Sequence, residues 1–235
     1  RYSVENPYSY VKSNLVGHVT MLEMCRKLKN LKHFVYASSS SVYGGNKTLP
    51  YKVEDRVDSP LSLYAATKKS DELLTYSYSH LYNIPATGLR FFTVYGPWGR
   101  PDMATFLFTK AILEGKPITV YNNGKMKRDF TYIDDIVAGI VGVMDKNDFK
   151  SGPPHKLYNL GNNKSEELMD FISIIEKSTN KKAIVNYKEM HPGDAKETFA
   201  DIEASKKDFN FSPKTSIDEG LPKFVEWFKQ YYKTG

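Results

Sequence analysis

The sequence predicts an α/β protein: a doubly wound parallel sheet over its first half, then a smaller lobe of mixed strands and helices. Two observations carry this. Long helical patterns alternate with short, β-rich apolar runs as far as Phe92, and alternation of that kind argues for a parallel sheet. The two long loops, Ser38–Ser41 with its continuation and Thr93–Arg100, each follow such a run. Ligands of parallel sheets bind beyond the carboxyl ends of the strands.

The elements follow in order. Asn6-Pro7 pairs an N-cap residue with a proline at the first helical position, and apolar spacing carries that helix to about Leu28. His33–Ala37 reads as a buried strand. Ser59-Pro60 opens a second long helix over about Ser62 to Tyr82, and Ala86–Phe92 is the next strand. Beyond Arg100 the pattern is less regular. Helices are expected over Ala104–Leu113, Ile136–Met144, Ser165–Lys177, Ser205–Phe209 and Ile217–Tyr232. Strands are expected at Ile118–Tyr121, Arg128–Tyr132, Lys156–Gly161 and Ala183–Tyr187, and turns at Asn122-Asn123-Gly124 and His191-Pro192-Gly193-Asp194.

Bulk composition excludes several classes. The 235 residues suffice for one large domain or a domain and a half. Cations number 33 and anions 27, giving a net charge of +6 without long like-charged blocks, so nucleic acid is not implied. A small phosphate-bearing ligand suits this balance equally. The single cysteine, Cys25, rules out an internal disulfide framework and a cysteine-rich zinc site, and points to a reducing, cytoplasmic compartment. The longest apolar run, Ile136–Met144, is too short to span a bilayer, so no membrane contact is expected. Asp134-Asp135 reads as a helix N-terminal pair, and no metal site is expected.

Tyr64 and Lys68 lie four residues apart inside the second long helix, on one face. A free tyrosine is a poor base at neutral pH, and a nearby ammonium favours the phenolate. A Tyr-x-x-x-Lys pair is therefore suited to shuttling a proton to and from an alcohol.

Four motifs in register give that pair a context: Ala37-Ser38-Ser39-Ser40-Ser41-Val42-Tyr43-Gly44, Tyr64-Ala65-Ala66-Thr67-Lys68, Arg90-Phe91-Phe92-Thr93-Val94-Tyr95-Gly96-Pro97 and Arg128-Asp129-Phe130-Thr131-Tyr132-Ile133-Asp134-Asp135. With them the chain resembles the extended short-chain dehydrogenase/reductases, above all the nucleotide-sugar epimerases, and within these the UDP-glucuronate 4-epimerases. The likeness to that subgroup rests on Leu61–Lys69 and Gly88–Met103. It implies a Rossmann-type sheet, NAD as cofactor, a UDP-sugar substrate, isomerase activity, and a homodimer formed through the helices around 7–28 and 62–82.

The resemblance also implies roles. Tyr64, Lys68 and Ser39 are the catalytic candidates. Tyr64, Lys68, Ser38, Phe91 and Val94 would contact the cofactor. Ser39, Ser40, Ser41, Thr93, Arg100, Arg128, Asp194 and Asn14 would contact or flank the substrate. Many relatives carry Asn where this chain has Thr93; with Arg100, that Thr is implied to hold the sugar carboxylate, and a guanidinium forks well onto a carboxylate. Arg128 would meet the diphosphate and Asp194 the uridine ribose. His191 stands where several relatives have Arg, a departure that weakens the case for a phosphate contact from that turn.

The family's G-x-x-G-x-x-G phosphate loop is absent from these residues. The first βα units, about 90 residues at the usual unit size, are expected to precede Arg1. Residues 1–100 then form the later part of the cofactor domain and 101–235 mainly the substrate lobe. This chain alone is expected to bind NAD poorly, to be inactive, and to expose an aggregation-prone sheet edge. Competing readings remain: a UDP-glucose/galactose 4-epimerase, a dehydratase or decarboxylase of nucleotide sugars, a non-catalytic relative that binds NAD or sugar nucleotide, and a generic basic binding module. Sugar dehydratases carry Asp-Glu in the serine loop, where this chain has Ser40-Ser41.

Overall fold

The computed structural model describes residues 2–146, 149, 152–190 and 196–234. These fall into two units, one of residues 1–92, 138–160 and 200–211, the other of 93–137, 161–199 and 212–235. The first unit's opening segment ends at Phe92, and residues 138–160 and 200–211 also belong to that unit.

Short helices α1 (Tyr2–Glu5) and α2 (Pro7–Tyr10) open the first unit. Asn6 caps α2 as its sequence suggests, its side chain accepting from Ser9 N at 3.2 Å. A π-helical turn over Val11–Val16 then interrupts the long helix expected there, before α3 (Gly17–Lys27) resumes it. Strand β1 (Phe34–Ser39) runs two residues further than expected and ends on a tight turn, Ser40–Tyr43. Gly44 closes that turn at φ +53°, where a Cβ would lie 2.1 Å from the Ser59 carbonyl oxygen, so only glycine fits. Helix α4 (Leu63–Tyr82) is capped by Ser62, whose Oγ accepts from Ala65 N at 3.1 Å; Ser59-Pro60 stays in the loop.

Strand β2 (Ala86–Phe91) pairs in parallel with β1, with Ser39 opposite Phe91. The chain then passes through the second unit: β3 (Thr93–Tyr95), α5 (Ala104–Glu114), β4 (Pro117–Tyr121), β5 (Lys127–Arg128), β6 (Phe130–Tyr132) and the start of α6 (Ile133–Met144). Strand β7 (His155–Leu160) completes the first unit's parallel sheet in the order β1-β2-β7. Then come β8 (Glu166–Glu167), α7 (Leu168–Thr179), β9 (Ile184–Lys188), α8 (Glu203–Phe209) and α9 (Ile217–Tyr232). Ser165 does not start a helix: Glu166 pairs with Arg128 in a short antiparallel ladder, and α7 begins at Leu168.

Among the described residues the second unit holds three two-stranded sheets, β3-β6, β4-β9 and β5-β8. Its core is aromatic. Phe130 stacks on Phe171 at 4.1 Å, and Tyr95, Phe224 and Phe228 are buried in the same cluster. No helix among the described residues is long and apolar enough to cross a membrane.

Candidate functional site

Helix α4 and the carboxyl end of β1 bring the first unit's candidate residues together. Lys68 Nζ donates to the Ala37 carbonyl at 2.9 Å and lies 3.3 Å from Asp71 Oδ2. The ammonium is thus tied to the strand end that carries Ser38 and Ser39. Tyr64, one helical turn earlier, is half-buried, and the ring of Tyr10 meets it edge-on at 6.1 Å. Its hydroxyl has no hydrogen-bond partner among the described residues. Ser39 is buried; its Oγ accepts from Ser41 N at 3.2 Å and keeps its own proton to donate. Ser40 is half-buried and Ser41 exposed on the turn that follows.

Asn14 lies in the π-helical turn. Its Nδ2 donates to Thr67 Oγ1 at 2.9 Å, and Thr67 Oγ1 donates to the Tyr64 carbonyl at 2.8 Å. Asn14 therefore buttresses the first turn of α4, and π-helical insertions often accompany such local demands. The Ser38 hydroxyl faces the interior and donates to Glu72 Oε1 at 2.7 Å. Phe91 ends β2 beside Ser39.

A buried charged network lies beneath these groups, and the motif reading did not foresee it. Arg90 donates from Nε and Nη2 to the two oxygens of Glu72 at 2.8 and 2.9 Å, and from Nη1 to the Tyr43 hydroxyl at 3.0 Å and the Val53 carbonyl at 3.1 Å. The Tyr43 hydroxyl in turn donates to Asn159 Oδ1 at 2.7 Å. Burial works to raise the Glu72 carboxyl, but Arg90 and Ser38 overcome it and hold it below its usual range. Burial pushes the Tyr43 hydroxyl up to about 12. The signal in the sequence is Arg90 itself: a charge inside a buried strand needs a partner.

In the second unit, Thr93 and Val94 are half-buried on β3, opposite Phe130 and Thr131. Arg100 is exposed and grips Asp102 with two hydrogen bonds, Nε to Oδ1 at 3.0 Å and Nη2 to Oδ2 at 2.9 Å. Arg128 Nη1 donates to the carbonyls of Lys127 and Lys196 at 2.8 and 3.3 Å. Asp194 and its turn lie outside the described residues. No cluster of His, Cys, Asp and Glu among the described residues is arranged to hold a metal.

A parallel sheet with a polar turn at its carboxyl end and a Tyr-x-x-x-Lys helix alongside defines a class: α/β proteins of the dinucleotide-dependent type. The model of the NAD dependent epimerase/dehydratase family matches residues 1–161, and the chain belongs to that family. It is 51% identical to Protein CapI of Staphylococcus aureus, over 99% of this chain and 73% of that protein. It is 48% identical to UDP-glucuronate 4-epimerase 1 of Arabidopsis thaliana, over 99% of this chain and 57% of the relative. Among solved structures it is similar to the UDP-glucuronic acid 4-epimerase of Bacillus cereus in complex with UDP-glucuronic acid and NAD. That match has a TM-score of 0.86 at 38% identity and covers 95% of this chain and 69% of the other.

The donor set fits the nicotinamide-ribose half of such a cofactor. Lys68 uses two of its three ammonium protons on Ala37 and Asp71, and the Tyr64 hydroxyl lacks a partner among the described residues. A glycine-rich pyrophosphate cradle does not occur among the 235 residues.

Proposed function

We propose that the whole protein interconverts the C4 epimers of a UDP-uronic acid, UDP-glucuronate and UDP-galacturonate, as an NAD-dependent isomerase. The observation that carries this is the anchoring of Lys68 on the Ala37 carbonyl, one helical turn from the half-buried Tyr64 and at the strand end bearing Ser39. The relatives' names supply the substrate.

When bound, NAD supplies a reversible hydride acceptor for C4 of the sugar. Tyr64 takes the proton of the 4-hydroxyl and returns it after the keto sugar has turned its other face. Ser39 Oγ hydrogen-bonds the same oxygen. Lys68 places its charge beside the tyrosine and offers its remaining proton to a ribose hydroxyl. Ser38, Phe91 and Val94 border the cofactor. Ser40, Ser41 and Asn14 border the sugar, Thr93 and Arg100 take its carboxylate, Arg128 the diphosphate and Asp194 the uridine ribose. The chain by itself, lacking the glycine-rich cradle, is inactive.

One observation favours a second substrate, UDP-glucose/galactose. Arg100 already has a carboxylate, Asp102, in its fork, and a neutral sugar makes no demand on it. The test is the whole protein with UDP-glucuronate and UDP-glucose in parallel, with chromatographic separation of the 4-epimers. Turnover of UDP-glucuronate, lost in Tyr64→Phe, is expected. Turnover of UDP-glucose alone overturns the uronate reading, and turnover of neither overturns the enzymatic one.

Exposed apolar side chains on α3 and α4, among them Met21, Met24, Leu73, Tyr76 and Leu81, support pairing of these helices with a second copy. A monomer by light scattering at micromolar concentration counts against that dimer.

A further inference from the structure

Asp71 differs from Glu72, the other buried acid among the described residues of the first unit, in its choice of counter-ion. Its side chain is 1% exposed. Oδ2 lies 3.3 Å from Lys68 Nζ, and Oδ1 is buried with no hydrogen-bond partner among the described residues. The adjacent carboxylate, Glu72, has Arg90 on both oxygens and Ser38 on one of them. Glu72 therefore has a dedicated cation, whereas Asp71 draws on the ammonium that proton transfer requires. A buried carboxylate with an empty oxygen is costly. An i,i+3 pair on a helix surface would return little, but here the carboxylate is 1% exposed and the lysine side chain 17%.

The geometry around Lys68 shows what such an arrangement accomplishes. Nζ is held from two sides, by the Ala37 carbonyl and by Asp71. An ammonium has three protons, so one remains. We propose that Asp71 is the positioning residue for Lys68: its carboxylate, together with the Ala37 carbonyl, fixes the ammonium one turn from Tyr64 and leaves the third proton for the ribose of the bound dinucleotide. The inference rests on Tyr64 and Lys68 being the proton-transfer pair.

The charge on Asp71 makes the hold pH-sensitive. Burial lifts its carboxyl to about 6, against the opposing pull of Lys68. Facing it are Lys68 and Glu72 on α4, His18 on α3 and Tyr36 on β1, with Arg90 of β2 directed to Glu72. Burial, then the Lys68 charge, lower His18 to about 4, and burial raises Tyr36 well above its ordinary value. His18 and Tyr36 are therefore neutral where Asp71 titrates. As pH falls through that region Asp71 takes up a proton and its grip on Lys68 is lost.

The test uses the whole protein. Losing one charge-assisted hydrogen bond should weaken NAD binding about tenfold, of which wild type should show about threefold between about pH 7.5 and about pH 5.5, because a carboxyl at about 6 is only partly protonated at the lower value. Asp71→Asn keeps the shape and removes the charge. It should bind NAD about tenfold more weakly at the higher pH and show little further loss at the lower, and its kcat profile should lack the acid limb. A purely structural Asp71 would lower the melting temperature and leave the pH dependence as in wild type, and that result overturns the proposal. If Asp71→Asn does not fold, Asp71→Ser carries the same expectation. Carboxyl carbon NMR of wild type provides an arm independent of turnover: a side-chain resonance titrating near 6 should move to higher pH in Lys68→Met. A spectrum with no such resonance, or one indifferent to Lys68, also overturns it. A protein inactive on every UDP-sugar would sink the proposed function and leave the NMR result to judge the Asp71–Lys68 coupling.

Discussion

Arg90 and Glu72 form a doubly hydrogen-bonded ion pair inside the first unit, with side chains 1% and 2% exposed. The pair joins β2 to α4. Ser38, near the end of β1, and Tyr43, at the end of the turn that follows, both bond to it. Removing one partner of a buried pair strands the other's charge, which costs about 3–5 kcal/mol.

Glu72→Gln should therefore lower the unfolding free energy by about 3–5 kcal/mol in urea titrations. The double variant Glu72→Leu with Arg90→Met should recover most of that loss, because two apolar side chains need no counter-charge. A cost for Glu72→Gln below about 1 kcal/mol, the range of surface pairs, would show that the pair does not hold the turn.

Much of the first unit is legible in the sequence, because helix and strand periods differ and loops break them. Asn6 and Ser62 reach their capping positions through local chemistry that short-range patterns capture. The π-helical turn at Val11–Val16 has no such signature, and its Asn14 bonds Thr67, 53 residues away. Ser165 looked like a helix start, but the pairing of Glu166 with Arg128 pre-empted it. Motif order nominates Tyr64, Lys68 and Ser39. It does not nominate Asp71, since an acidic residue three positions after a lysine is ordinary on any helix and only its burial sets it apart.

Acid should destabilise the fold through two histidines. Burial lowers His155 and His18 to about 4, whereas an unfolded histidine titrates near ~6.5. The unfolded chain thus binds protons first as pH falls, so this stability is whole above about 6.5 and lost progressively toward 4. Asp71 acts in the opposite sense: its folded value of about 6 lies above the ordinary aspartate range, so its contribution grows as pH drops through 6. The histidines outnumber it, and the urea midpoint should fall between about pH 7 and about pH 5. His155 contacts the Tyr36 hydroxyl at 2.9 Å. His155→Gln should lower stability at neutral pH and flatten the slope; an unchanged slope would remove His155 as its source.

Asp102 occupies the fork of Arg100 in the manner a substrate carboxylate would. Both side chains are largely exposed, at 72% and 70%, so the pair adds little to stability. Asp102→Ala should leave the melting temperature unchanged and free the guanidinium. KM for UDP-glucuronate should then fall severalfold while that for UDP-glucose stays constant. Equal changes for both sugars would show that Arg100 does not read the carboxylate.

The proposed reaction carries a chemical hazard that assigns Arg100 a second task. Oxidation of a glucuronate at C4 gives a β-keto acid, which loses carbon dioxide when the carboxylate carbon bond aligns with the carbonyl π system. A guanidinium hydrogen-bonded to that carboxylate fixes its rotation and stabilises its charge, both of which oppose the loss. With Thr93 as a second contact, the carboxylate would be held out of the decarboxylating orientation. Arg100→Ala should therefore reduce epimerisation and release a UDP-pentose that wild type does not. Chromatography of the products with UDP-glucuronate in the whole protein measures both. If the variant epimerises slowly and forms no more UDP-pentose than wild type, Arg100 serves binding alone.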